Sequence, residues 1–133
     1  MIWLLDTNTC IQYLNGRSSA IRDKLRAATP NEVVLCSIVK TELVYGALRT
    51  RDPETAMARL KLFLAPFPSL PFDDSCVETC ALIRSKLTAS GTPVGPHDLL
   101  IAAIAIAHDL TLVTHNTREF SRIGGLRLED WET

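Results

Sequence analysis

The chain opens Ile2-Trp3-Leu4-Leu5-Asp6-Thr7-Asn8, four apolar residues in a row and then an acid. A strand with one wet face alternates apolar and polar residues. An unbroken apolar run this short reads instead as a strand covered on both faces, the habit of parallel sheets. Neighbouring parallel strands need a crossover between them, usually helical. Residues 7–14 read as a helix stopped by Asn15-Gly16, and residues 18–28 as an amphipathic helix stopped before Pro30. A second buried strand is expected at 33–36.

The alternation continues outward from there. Ser37 is the expected cap of a helix reaching about Thr50. Asp52-Pro53 supplies the cap and first turn of another, reaching about Ala65. Residues 67–72 contain Pro68 and Pro71, so a strand there belongs at a sheet edge, because proline has no N–H for the ladder. Asp73 or Asp74 caps a helix to about Ser90, and 91–95 is a loop. Pro96 starts a helix to about His108 that is apolar on nearly every side and is expected to be buried. A third strand at 111–113, a helical turn at 116–120 and a last strand at 126–128 follow. Strands alternating with helices predict one α/β domain over 1–133, a mainly parallel sheet with helices on both faces.

Composition narrows the function classes. With 47% hydrophobic and 22% charged residues, the chain is globular and not disordered. A formal net charge of −1 removes bulk basicity as an argument for nucleic-acid binding, so any such site must be local. The N-terminal apolar run is too short for a signal peptide and lacks a basic start, and residues 99–107 are too few to span a bilayer. A cytoplasmic protein with no membrane partner is expected. Cys10, Cys36, Cys76 and Cys80 form no C-x-x-C pair, so neither a zinc nor a redox motif is indicated.

The acids carry the chemical argument. In parallel sheets ligands bind beyond the carboxyl ends of the strands, where Asp6 stands; the plainer role for Asp6 is to cap the next helix. On a helix from 38 to 49, Glu42 falls in an apolar arc between Ile38 and Gly46, away from Lys40 and Thr41. A half-buried carboxylate needs a partner, either a cation such as Arg49 or a metal. Asp98 lies in the first turn of the buried helix, where the helix dipole favours it, and His97 beside it reads as a polar loop histidine. Glu119 fits a capping box with Asn116, yet it follows the third strand and can face the same end of the sheet, with Thr114 and Asn116 as further oxygen donors. Clustered carboxylates repel one another, and an all-oxygen set favours Mg²⁺ or Mn²⁺ over zinc. Setting these four aside from the 15 acids leaves 11 against 14 Lys and Arg, a balance of +3. A basic rim of Arg49, Arg51, Lys86 and Arg118 around an acidic hole suits a phosphate-backbone substrate.

Four segments together resemble the PIN-domain family, and within it the VapC toxins: Leu4-Leu5-Asp6-Thr7-Asn8, Ser37-Ile38-Val39-Lys40-Thr41-Glu42-Leu43-Val44-Tyr45-Gly46, Gly95-Pro96-His97-Asp98-Leu99-Leu100-Ile101-Ala102-Ala103, and Leu112-Val113-Thr114-His115-Asn116-Thr117-Arg118-Glu119-Phe120. The resemblance implies a three-layer α/β/α fold and a Mg²⁺- or Mn²⁺-dependent endoribonuclease. It also implies a homodimer inhibited by a cognate antitoxin; apolar residues of the 53–65 helix are candidates for an interface. The family's acids fall on Asp6, Glu42 and Asp98. The fourth departs from pattern: many PIN domains carry aspartate where this chain has Asn116, and here the acid is Glu119. Two rivals remain. One is a PIN-like RNA- or protein-binding module that does not cut. The other is a phospho-accepting domain, disfavoured because Asp6-Thr7-Asn8 is not D-x-D and no lysine follows Lys86.

Overall fold

A computed structural model describes residues 1–132. Five short parallel strands form one sheet in the order β3-β2-β1-β4-β5. They are β1 Trp3–Leu5, β2 Val33–Cys36, β3 Ser69–Leu70, β4 Thr111–Val113 and β5 Arg127–Glu129. The register is Trp3 opposite Val33 and Thr111, and Thr111 opposite Arg127. β1, β2 and β4 are buried along almost their whole length, as unbroken apolar runs require. β3, flanked by Pro68 and Pro71, lies at the edge, and the Pro68 carbonyl still accepts the Leu35 N–H at 2.9 Å.

Seven α-helices connect the strands among the described residues. They are α1 Thr7–Leu14, α2 Ser19–Ala27, α3 Ser37–Leu48, α4 Pro53–Leu64, α5 Val77–Ser90, α6 Pro96–Ala107 and α7 Thr117–Phe120. The chain steps from β1 through β2 to β3 in one direction and from β4 to β5 in the other; with the right-handed crossovers that parallel strands adopt, the two helix sets cover opposite faces. α6 is the buried one: Ile101, Ala102, Ala103, Ile104 and Ala105 are inaccessible to solvent or nearly so. No described helix is long and apolar enough to cross a membrane. All four cysteines are free, and Cys10, Cys36 and Cys76 are core residues.

Local signals explain the boundaries. Ser18 accepts the Ile21 N–H and caps α2; Asp52 accepts from Thr55 and caps α4, with Pro53 at the first position. Asp73, not Asp74, is the cap at the next entry, starting a 3₁₀ turn that runs into α5. Gly91 ends α5 with φ of 68°, a left-handed conformation that glycine adopts without strain. Two boundaries differ from expectation. Ser37 is the first residue of α3 and does not cap it, because the chain passes from β2 into the helix with no linker and the cap position falls on Cys36. β5 sits one residue later than the expected 126–128, since its register is set by pairing with β4. Beyond β5, the Trp3 and Trp131 indole N–H groups both donate to Glu129, at 2.9 and 3.1 Å, and the two rings meet edge-on with centroids 5.5 Å apart.

Leu112 is fully buried in β4, at the middle of the sheet. Leu112→Ala is expected to lower the unfolding free energy by about 2–5 kcal/mol, read from the urea midpoint at unchanged slope.

Candidate active site

The order of strands reverses direction between β1 and β4, and in such sheets the crevice opens where the order reverses. Asp6 is the residue that leaves β1 at that point. Its N–H extends the ladder to the Val113 carbonyl at 3.0 Å, and its Oδ1 accepts the Thr9 N–H at 2.8 Å. Asp6 therefore does cap α1, and it does so while only 5% exposed. Burial pushes its pKa up; hydrogen bonds from Thr114 and Thr9 pull it down, and the Glu42 charge adds to the upward push. Thr114 is fully buried one residue beyond β4, and its hydroxyl oxygen also accepts the Asn116 N–H at 3.0 Å. The β1 and β4 exits are thus tied together by one threonine.

Glu42 projects from the second turn of α3 and is half-buried. Its Oε1 accepts the Thr7 hydroxyl at 2.8 Å, and its Oε2 lies 3.7 Å from His97 Nδ1. Arg49, the cation expected as partner, stacks instead over the Tyr45 ring, 5.3 Å from its centroid. His97 is not a loop residue; it occupies the first turn of α6 and faces Glu42.

Asp98, also in that turn, accepts no hydrogen bond from any described residue. Its pKa is pushed up to about 6, first by burial and then by the charges of Glu119, Glu42 and Asp6, against a small opposing effect of His97. Asp98 thus lies within electrostatic reach of the other three carboxyls. Gly95 marks the corner between two of them: a methyl group there would lie 3.6 Å from Asp98 Oδ2 and 3.8 Å from Glu119 Oε1.

Glu119 does not form the expected capping box. Its Oε1 accepts the Gly95 N–H at 2.8 Å, and its Oε2 accepts the Asn116 side-chain amide at 2.6 Å. The Asn116 N–H is already given to Thr114, so the carboxylate turns to the loop before α6. Of the basic residues, Arg49 stands on the Glu42 side of α3 and Arg118 is exposed on α7. Lys86 lies elsewhere, in a hollow with Ile106, about 12 Å along α6 from Asp98. His115 is tied to Asp130 and Glu132 at 2.9 and 3.5 Å, and these carboxylates raise its pKa.

Sequence reading did not single out Thr7, Thr9 or Gly95. Thr9 carried the ordinary signal of a helix cap three residues upstream; Thr7 and Gly95 act across the fold and carried none.

The donor set is four carboxylates, with no lysine or arginine within ion-pair distance of any of them among the described residues. An all-oxygen set without a lysine or arginine partner suits a hard divalent cation; these carboxylates are spaced more widely than the ligand atoms of His115, Asp130 and Glu132, which lie within 4.8 Å of one another.

Residues 3–126 match the model of the PIN domain. The chain belongs to the PIN-domain family. Among its relatives is the "tRNA(fMet)-specific endonuclease VapC" of Salmonella typhimurium, 39% identical over 129 residues, 97% of each chain. The structure of VapBC2 from Rickettsia felis bound to a DNA fragment from their promoter superposes with a TM-score of 0.93 at 36% identity, covering 98% of this chain and 99% of that one. VapBC-5 from Mycobacterium tuberculosis, a member of the VapBC family of toxin–antitoxin systems, gives 0.71 at 26% identity, covering 97% and 96%. The α/β/α arrangement of this PIN domain is therefore the one expected from the four sequence segments.

The Asp98 environment makes a prediction for the metal-free protein. Its carboxyl titrates near 6 when folded and near 4 when unfolded, so ionisation opposes folding and stability falls as pH rises from about 4 to 6. Asp98→Asn is expected to raise Tm in EDTA at pH 7.5, with the gain vanishing below pH 4. A gain independent of pH, or none, would contradict the charge argument.

Proposed function

We propose that this chain is a Mg²⁺-dependent endoribonuclease, with Mn²⁺ as a substitute, and the toxin of a toxin–antitoxin pair. The observation that carries the proposal is the convergence of Asp6, Glu42, Asp98 and Glu119 at one strand-end crevice with no lysine or arginine within ion-pair distance among the described residues. The relatives' names supply the substrate class and the antitoxin partner. We read residues 1–133 as a single nuclease domain of a cytoplasmic homodimer, with the exposed Leu62 of α4 a candidate contact.

Asp6, Glu42 and Asp98 are the residues that would hold the ion, with Glu119 and Asn116 completing or orienting its water shell. When bound, Mg²⁺ supplies an acidified water and offsets charge on a phosphodiester. The protein's own contribution is positional. Thr7 fixes the Glu42 carboxylate and Thr114 with Thr9 fixes that of Asp6, so both acids are held before any substrate arrives. Asp98, with no hydrogen-bond donor of its own, keeps its lone pairs for a ligand. Arg49 and Arg118 at the rim offer charge to an RNA backbone.

The non-cutting module has one feature in its favour, the amide at Asn116. Its Nδ2 donates to Glu119, an interaction that an aspartate in its place would not make, so the substitution comes with a compensating acid.

The test is cleavage of total RNA and a tRNA panel by antitoxin-free protein. Cutting is expected with Mg²⁺, none with EDTA, and a loss of at least about 10²-fold in Asp6→Asn. Full metal-dependent cleavage by Asp98→Asn would overturn the residue assignment. Absence of both cutting and Mg²⁺ binding would favour the binding module.

A further inference from the structure

A cavity of about 290 Å³ lies between α1, α3 and α4, and Glu42 is part of its wall. Two larger hollows, of about 650 and 1080 Å³, contain none of the four acids. We propose that this cavity receives one unstacked nucleobase of the RNA, adjoining the phosphate that is cut. The inference rests on the nuclease reading and extends it to how the cutting position is chosen.

The shape comes from Gly46. It stands one helical turn after Glu42 on the same side of α3, and a Cβ built on it meets no atom within 4 Å. The absence of a side chain leaves the space beside the acid open. Ile11, Leu43 and Leu60 supply apolar walls, which suit the faces of a planar ring. Polar groups stand at the edges. The Asn15 side-chain amide offers a donor and an acceptor together, the pair that reads a base edge. The Thr50 hydroxyl gives its proton to the Ala47 carbonyl at 2.8 Å and keeps its lone pairs as acceptors. Arg59 is held at the wall by a 2.8 Å bond from Nη2 to the Leu14 carbonyl, with further N–H groups for a phosphate.

Geometry connects cavity and cluster. Glu42 has one oxygen committed to Thr7 and the other beside His97, and the same residue lines the cavity. Because Glu42 is shared, a nucleoside flanking a phosphate bound at the acids would be within reach of the cavity. On the other flank of Glu42, Tyr45 is 60% exposed with Arg49 over its ring, a surface on which a following base can stack. At about 290 Å³ the cavity matches the scale of one such ring. The other occupant of matching size is a side chain of a partner protein.

The experiment compares wild type, Gly46→Leu and Asn15→Ala on short RNA oligonucleotides that differ only in the base beside the cut. Bis(p-nitrophenyl) phosphate, which has no base, reports the acids alone. Gly46→Leu fills the cavity from α3; Asn15→Ala, at an exposed position, alters the edge without filling it, and thermal melts report folding of both. Wild type is expected to prefer one base by about tenfold or more in kcat/KM. In Gly46→Leu that preference should collapse to about twofold, and kcat/KM on the best RNA should fall at least about tenfold relative to the small diester. Asn15→Ala should relax the preference alone. A preference unchanged in both variants overturns the cavity assignment and leaves the nuclease reading standing. An unchanged preference with weakened inhibition by a partner protein gives the cavity to a protein side chain and likewise overturns it. If wild type cuts neither substrate, the nuclease reading fails, and this inference with it.

Discussion

The parallel pairing of β1 with β4, continued one residue further by the Asp6 N–H on the Val113 carbonyl, is the contact on which the acid cluster depends. It sets the exits of two strands side by side at the place where the sheet changes direction. Asp6 and Thr114 therefore meet although 108 positions separate them in the chain, and α6 and α7 bring Asp98 and Glu119 to the same rim. Moving β4 by one residue against β1 would turn its side chains to the opposite face and take Thr114 from Asp6.

Each carboxylate at that rim is held by a different local device. Asp6 has a helix cap and a buried threonine; Glu42 has Thr7; Glu119 spans from the Gly95 loop to Asn116. These bonds fix the carboxylates in orientation and give their oxygens donors within a half-buried crevice. Asp98 is left without that support, and its raised pKa measures the tension that remains. The rest of the fold compensates: α6, which carries Asp98 at its tip, is the most buried helix in the domain.

The layers and strand order follow from features a sequence displays openly. Continuous apolar runs at Trp3–Leu5 and Val33–Cys36 announced buried parallel strands, a further strand was read at Thr111–Val113, and prolines 68 and 71 announced an edge. The acids were legible as acids at strand ends and in an apolar helix arc. What was not legible was partnership. Whether Glu42 would meet Arg49 or Thr7, and whether Glu119 would turn to Asn116 or to Gly95, depends on contacts between segments far apart in the chain. Local periodicity does not encode those contacts. The Ser37 and β5 boundaries missed for a similar reason: a strand running directly into a helix, and a register set by the neighbouring strand, both override the nearest capping or apolar signal.

Glu129 holds both indole N–H groups of the chain, because Trp3 and Trp131 are its two tryptophans. One ring belongs to the central strand and the other to the last turn of the described chain. The tryptophan emission of this protein is therefore a single-locus signal. It reports whether the C-terminal segment is latched to the sheet, and a change in it on heating or dilution speaks first for that latch.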